Sequence, residues 1–288
     1  MIDSSQPDPS LQTWKLTVAY DGSDYLGWQV QPGLPTIQGE LQAALGRIVG
    51  ETPLPQGSGR TDAGVHALAQ VASFALRAPI PPGNLLRALN RTLPAAIRVL
   101  RAELVPASFH ARHSAVTKTY EYRVSLGSDP SPFLAPFVYA CPWPLDFDLL
   151  QASARLFVGE HDFRSFAATD PDLARRAAGS STDATQEPGN DSPESTVRTL
   201  FSSDWEPRAA EGGGLFVYRV RGDGFLHHMV RNLVGTMIDV GRGFLPIERI
   251  PGIIAARNRS AAGPTAPARG LFLHSVEYQP DHFAPAGG

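Results

Sequence analysis

The stretch Gly57-Ser58-Gly59-Arg60-Thr61-Asp62-Ala63-Gly64-Val65-His66-Ala67 sets one carboxylate, Asp62, two residues after an arginine and two before a glycine. In an extended segment Arg60 and Asp62 project to the same side. A guanidinium within about 4–6 Å keeps an aspartate ionised, lowering its pKa by roughly 1–3 units. The pattern therefore suits a permanently charged nucleophile or general base. The small residues around it let a substrate approach the backbone. An Asx-turn, with the Asp62 side chain accepting a backbone N–H ahead of Gly64, uses the same residues with no chemistry at all. Spacing alone leaves both readings open.

Other reactive side chains point away from the common alternatives. Histidines occur as His110-Ala-Arg-His113 and His227-His228, but the chain has no His-Glu-x-x-His and only one cysteine, so no metal is expected. Gly57-Ser58-Gly59 is not the Gly-x-Ser-x-Gly elbow of a hydrolase. Cys141, in Ala-Cys-Pro-Trp-Pro, reads as a small buried hydrophobe, and no disulfide framework exists. No phosphate-cradling glycine loop or dinucleotide fingerprint is present, so no cofactor is expected. Arg231, with Asn232 beside it, interrupts an apolar helical stripe (Met229, Val230, Leu233, Val234, Met237, Ile238). It either faces solvent or reaches across a cleft to an acid or phosphate, which its planar fork would suit. Tyr120, in Lys118-Thr119-Tyr120-Glu121-Tyr122-Arg123, is a sheet aromatic or a platform for an unstacked base.

These residues need elements to hold them. Trp14, Leu16, Val18 and Tyr20 alternate as a strand does. Thr36 predicts a helix N-cap, followed by Ile37, Leu41, Ala44, Leu45 and Ile48 at helical spacing. Val71 to Leu76 predicts a short strand, and Asn84 to Leu93 a helix stopped by Pro94. Val116, Lys118, Tyr120, Tyr122 and Val124 share one face of a long strand, and Asp146 caps a helix through Phe157. Strands are expected near 197–205 and 215–221, a helix from Leu226 to about Val240, and a last strand near 271–278. Strands and helices interleave without strict alternation, which predicts α+β, with a largely antiparallel sheet and helices packed on it.

The expected organisation is a flexible tail at 1–13, an N-terminal half at 14–113 carrying the Asp62 loop, a C-terminal half at 114–279, and a flexible tail at 280–288. The halves meet near residue 114 and flank a cleft. The polar segment 169–195, with Leu173 its only large aliphatic residue, reads as a disordered insertion. At 288 residues, 42% hydrophobic and 18% charged, the chain is that of a soluble globular protein with no membrane-length apolar run and no signal peptide, hence cytoplasmic. Its net charge is −3, but residues 1–13 and 169–195 concentrate acid. Outside them 23 basic residues face 20 acidic ones, compatible with a local phosphate-binding patch.

Taken together, several blocks make the chain resemble the tRNA pseudouridine synthase A family from about residue 14 to 279, the insertion excluded. They are Tyr20-Asp21-Gly22-Ser23-Asp24-Tyr25-Leu26-Gly27-Trp28-Gln29, Thr36-Ile37-Gln38-Gly39-Glu40-Leu41, and Gly59-Arg60-Thr61-Asp62-Ala63-Gly64-Val65-His66-Ala67. Phe109-His110-Ala111-Arg112, Lys118-Thr119-Tyr120, Gly224-Phe225-Leu226-His227-His228-Met229-Val230-Arg231-Asn232 and Ala268-Arg269-Gly270-Leu271 follow in order. The resemblance implies an α/β pseudouridine synthase fold, a homodimer, and isomerisation of uridines 38 to 40 in the tRNA anticodon stem-loop without cofactor. It makes Asp62 the catalytic aspartate and Tyr120 the tyrosine that stacks on the target base. Arg231 becomes the basic residue that pairs with the aspartate, and Arg60 the arginine that helps extrude the base. His66, Arg112 and Lys118 join Tyr120 among the substrate-binding residues.

The chemistry suits so few groups, since breaking the C1′–N1 bond and forming C1′–C5 needs no redox change or group donor. An ionised carboxylate acts as nucleophile at C1′ or as base at C2′. Extruding the base costs a few kcal/mol, roughly, which arginine and aromatic neighbours offset. A silent RNA-binding protein on the same scaffold would have lost these groups. A retaining glycosidase needs a second carboxylate about 5–5.5 Å away, and Asp21-x-x-Asp24 fits a turn better. The insertion, where a shorter loop is expected, and the acidic balance are departures from the family pattern.

Overall fold

The computed structural model describes residues 11–127, 129–168, 195–210 and 213–279. The expected insertion (bar Ser195), the C-terminal tail and residues 1–10 of the N-terminal tail lie outside the described residues. Among the described residues, no helix is long and apolar enough to cross a membrane. The chain divides into two compact units, one running through Val116 and resuming at Phe272, the other spanning Thr117–Leu271.

In the first unit β1 (Gln12–Tyr20) lies antiparallel to β3 (His66–Leu76) on one side and to β4 (Ile97–Val105) on the other. A two-residue strand, β2 (Gln56–Gly57), pairs with β3, and β10 (Leu271–Tyr278) runs parallel to it. Trp14, Leu16 and Val18 are fully buried, as the alternation predicted. Helix α1 (Ile37–Val49) starts where expected, the Thr36 hydroxyl accepting Gly39 N–H, and ends at Gly50 in a left-handed conformation (φ 74°). It buries Ile37, Leu41 and Leu45; α2 (Pro82–Thr92) buries Leu85 and Leu89. Each such side chain contributes about 1.5–3 kcal/mol by leaving water.

In the second unit β5 (Ala115–Leu126) pairs antiparallel with β9 (Gly213–Gly222), β9 with β8 (Val197–Ala210), and β8 with β7 (Gly159–Asp162); β6 (Tyr139–Cys141) runs parallel to β5. Helices α3 (Phe147–Arg155), α4 (Met229–Gly241) and α5 (Arg249–Ala256) complete it. Asp146 caps α3 through Leu149 N–H. Cys141 is fully buried, as its sequence context predicted. Trp205 of β8 donates its indole N–H to Met237 Sδ of α4 at 3.4 Å, fixing helix against sheet.

Several elements differ from expectation for identifiable reasons. β1 begins at Gln12, so residues 12 and 13 are strand rather than tail. β3 begins five residues before Val71: its His-Ala-Leu-Ala-Gln start lacks β-branched residues, and the ladder to β10 supplies what propensity does not. The β4 alternation is hidden by a register shift where β1 passes from Thr17 to Val18. Pro251 and Gly252 mask α5. α4 starts three residues late because His228 adopts φ 59°, a left-handed conformation that a helix cannot include.

Candidate active site

Asp62 sits on the loop between β2 and β3, half-buried, with exposed Arg60 and buried Thr61 before it. The turn that follows is closed by the main chain: Val65 N–H donates to Asp62 O at 3.1 Å. Gly64 (φ 74°) takes the left-handed position such a turn requires. The loop is held at several points. Tyr20 hydroxyl and Thr61 Oγ1 share a 2.8 Å hydrogen bond, and Trp28 N–H donates to Thr61 O at 3.0 Å. Gln70, fully buried on β3, donates to Gly59 O at 2.9 Å and accepts from Ser58 Oγ at 2.6 Å.

The Tyr20–Gln29 block explains itself against this loop. A Cβ on Gly22 would stand 2.0 Å from Val65 O, and one on Gly27 (φ 89°) 2.5 Å from Thr61 O. Only glycine lets the two backbones touch. Asp21 makes the expected turn, its carboxylate accepting Ser23 N–H at 2.9 Å. Burial pushes the Tyr20 hydroxyl up to about 12, its bonds to Thr61 and Gln70 offsetting part of the shift, so it stays neutral.

His66 is buried and stacks on Phe272 with ring centres 4.7 Å apart. Its Nδ1 lies 3.1 Å from both Gly22 N and Asp21 Oδ1, accepting the amide when neutral and pairing with the carboxylate when protonated. It ties the glycine block to β3. Arg112 is exposed at the end of a segment pinned by Ala111 N–H to Ser73 Oγ (3.0 Å) and Tyr278 hydroxyl to Ala111 O (2.7 Å). His110 Nδ1 accepts the Arg112 and His113 amides at 3.1 and 3.3 Å. Burial, then the charges of His113 and Arg112, hold the His110 pKa down, which keeps it the neutral acceptor this turn needs.

In the second unit Lys118 and Tyr120 lie on one face of β5, opposite Gly222 and Val220. Tyr120 is buried and meets Phe225 edge-on at 4.9 Å, so the Lys-Thr-Tyr and Gly-Phe-Leu blocks are neighbours. Tyr122, next along that face, donates its hydroxyl to Pro267 O at 2.8 Å. Burial raises the Tyr122 pKa, and the charge of Arg231 partly opposes this. Arg231 stands in the first turn of α4, half-buried rather than on a solvent face, with Nε donating to Ala266 O at 2.7 Å. Just ahead of it, His228 carries the left-handed backbone, a conformation uncommon outside glycine that clusters at functional sites.

The family model for tRNA pseudouridine synthase matches residues 16–114 and 153–279. A relative from Solibacter usitatus, tRNA pseudouridine synthase A, is 50% identical over 265 residues, covering 92% of this chain and 98% of its own. The chain belongs to the tRNA pseudouridine synthase family. Relatives of the same name from Moorella thermoacetica and Bacillus pumilus are 44% and 40% identical, each across 92% of this chain and 98% of their own length. As a tRNA pseudouridine synthase the chain is an isomerase, and its mixed, mostly antiparallel strands with their helices fit the α+β pseudouridine synthase fold. Sequence reasoning missed Tyr20 and Gln70 as supports of the Asp62 loop. Gln70 carried one signal, a polar amide inside an otherwise apolar run.

Proposed function

We propose that this chain converts uridine to pseudouridine at positions 38–40 of the tRNA anticodon stem-loop, with Asp62 as its catalytic carboxylate. The observation that carries the reading is the anchoring of the Asp62 loop by two glycine–backbone contacts and by Tyr20 and Gln70. A loop fixed at that many points presents one carboxylate at a defined place, as positioning catalysis requires. The names of the relatives support the substrate.

In the proposed reaction the C1′–N1 bond breaks, the uracil turns, C1′–C5 forms, and the C5 proton is lost while N1 gains one, so the product is an isomer. Whether Asp62 attacks C1′ or removes the C2′ proton, it must be ionised first. Arg231 is assigned the charge that favours that state, Arg60 extrusion of the base, and Tyr120 stacking on it; Lys118, His66 and Arg112 are assigned to substrate binding. The working form is proposed to be a cytoplasmic homodimer, measured by sedimentation of the purified protein.

The test is pseudouridine mapping at single-nucleotide resolution on unmodified tRNA, with no cofactor or metal added. New pseudouridine in the anticodon arm is expected. Asp62→Asn should bind tRNA and melt as wild type while turnover falls by at least about 10²–10⁴-fold. Comparable turnover in that variant removes Asp62 from its role. Binding by the wild type without pseudouridine anywhere favours a silent RNA-binding protein.

A further inference from the structure

Next to Arg231 stands Asn232, fully buried in α4, with three hydrogen bonds to its side-chain amide. Its Nδ2 donates to Phe166 O at 2.6 Å, and its Oδ1 accepts from Arg259 Nη2 at 2.9 Å and from Thr265 Oγ1 at 2.7 Å. Arg259 also donates to Thr265 Oγ1 at 3.0 Å and to Gly263 O at 2.9 Å, so one guanidinium grips the loop before Ala266 at two places. Ala266 then exchanges bonds with Arg231: its N–H donates to Arg231 O at 3.1 Å and its carbonyl accepts Arg231 Nε at 2.7 Å. The contacts close a ring, from Arg231 through Ala266 and Thr265 to Asn232 and back along the helix.

The ring has a directional consequence. A guanidinium is planar, so an Nε–H bound to a fixed carbonyl fixes the plane and the heading of both Nη nitrogens. The carbonyl is held because the preceding residue, Thr265, is tied to Asn232 and Arg259 and the Ala266 N–H to Arg231 O. A buried amide with both acceptor sites and one N–H engaged favours one arrangement and penalises others, since any displaced member leaves a buried polar group unpaired. We infer that Asn232, Arg259 and Thr265 are positioning residues for Arg231 in the isomerisation, setting the heading of its fork rather than touching substrate. The inference rests on the catalytic assignment of Arg231 proposed above.

Thr265 offers the mildest test, being partly exposed and outside the helix. Thr265→Val removes the hydroxyl and keeps the branched shape; Thr265→Ser restores the hydroxyl. Single-turnover pseudouridine formation on anticodon stem-loop RNA should fall about 10- to 10²-fold in Thr265→Val, as small misplacements do. RNA affinity should stay within about twofold, and Thr265→Ser should return to near the wild-type rate. In an Arg231→Lys background, where the planar fork is gone, Thr265→Val should add no further loss.

A wild-type rate in Thr265→Val, an affinity loss matching the rate loss, failure of the serine to rescue, or full additivity with Arg231→Lys each overturns the positioning role. Arg231→Lys at the wild-type rate overturns it by removing the residue being positioned. Absence of pseudouridine with wild-type protein fails the functional reading instead, and is seen before any variant is made.

Discussion

The two units hold their principal charged groups by different means. Asp62 sits on a loop pressed between backbones, where Gly22 and Gly27 touch its main chain and Tyr20, Gln70 and Trp28 each pin one point. Arg231 sits on a buried helix and is steered by a closed ring of hydrogen bonds through Asn232, Thr265 and Ala266. The first arrangement is steric and distributed: no single bond is decisive, and anything that fills the glycine contacts moves everything. The second is polar and coupled, so its members should act non-additively, as atoms in one network do.

Both units nevertheless rely on glycine for close approach, and the comparison breaks first there. A Cβ on Gly235 of α4 would stand 1.7 Å from Pro264 O, and one on Gly22 would stand 2.0 Å from Val65 O. Both obstacles are backbone atoms that no rotamer change can relieve. Gly235→Ala is expected to cost about 3 kcal/mol, at the upper end of overpacking, because the helix beneath is rigid and buried. Gly22→Ala should cost less stability, about 1–3 kcal/mol, and proportionally more activity, because the loop it displaces carries Asp62. Urea unfolding beside single-turnover assays checks both, and an unchanged midpoint for either removes close approach as the holding principle.

Deleting the amide of Gln70 sharpens the comparison at smaller scale. Gln70→Leu leaves the Ser58 hydroxyl and Gly59 carbonyl without that partner, a loss of about 1–3 kcal/mol on the approach to Asp62. Because the other pins remain, the pseudouridine rate should fall less than in Gly22→Ala. A rate loss equal to that of Gly22→Ala would make the Asp62 loop a coupled network like the one around Arg231.

How much of this was legible beforehand follows from the same difference. The helix at Thr36, the strand carrying Tyr120 and the strand from Leu271 announce themselves locally, through a cap, an alternation and an apolar run. The blocks around Asp62 were visible because close approach demands glycine, and glycines leave a mark on sequence. The start of β3, the β4 strand and helix α5 were not, because a ladder partner, a register shift and tertiary packing override weak local preference. The Asn232 ring was the least legible. Its members are spread from residue 166 to 266 and carry ordinary helix and loop residue types, so only folding brings them together.

The smallest expected effect tests the pinning of Thr61 by Tyr20. Tyr20→Phe removes one buried hydrogen bond and should cost about 0.5–1.5 kcal/mol at neutral pH. Its pH dependence is more specific. The folded protein holds the Tyr20 hydroxyl neutral up to about 12, whereas the unfolded chain releases that proton near the ordinary tyrosine value of about 10. Between those values the native state binds more protons than the unfolded state, so stability falls as pH rises. The contribution is fully present below pH 10 and drains away at about 1.4 kcal/mol per pH unit until the folded hydroxyl also ionises. Tyr122 and Tyr218, raised by burial as well, act alike in both proteins, so the difference between wild type and Tyr20→Phe isolates Tyr20. Urea midpoints across pH 9 to 12 should converge and then cross, because a loss of about 1.4 kcal/mol per pH unit from 10 to about 12 exceeds the roughly 0.5–1.5 kcal/mol lead of the wild type. Parallel curves would mean that the Tyr20 hydroxyl meets water in the folded state, and the Asp62 loop would then owe its place to the glycines, Gln70 and Trp28 without it.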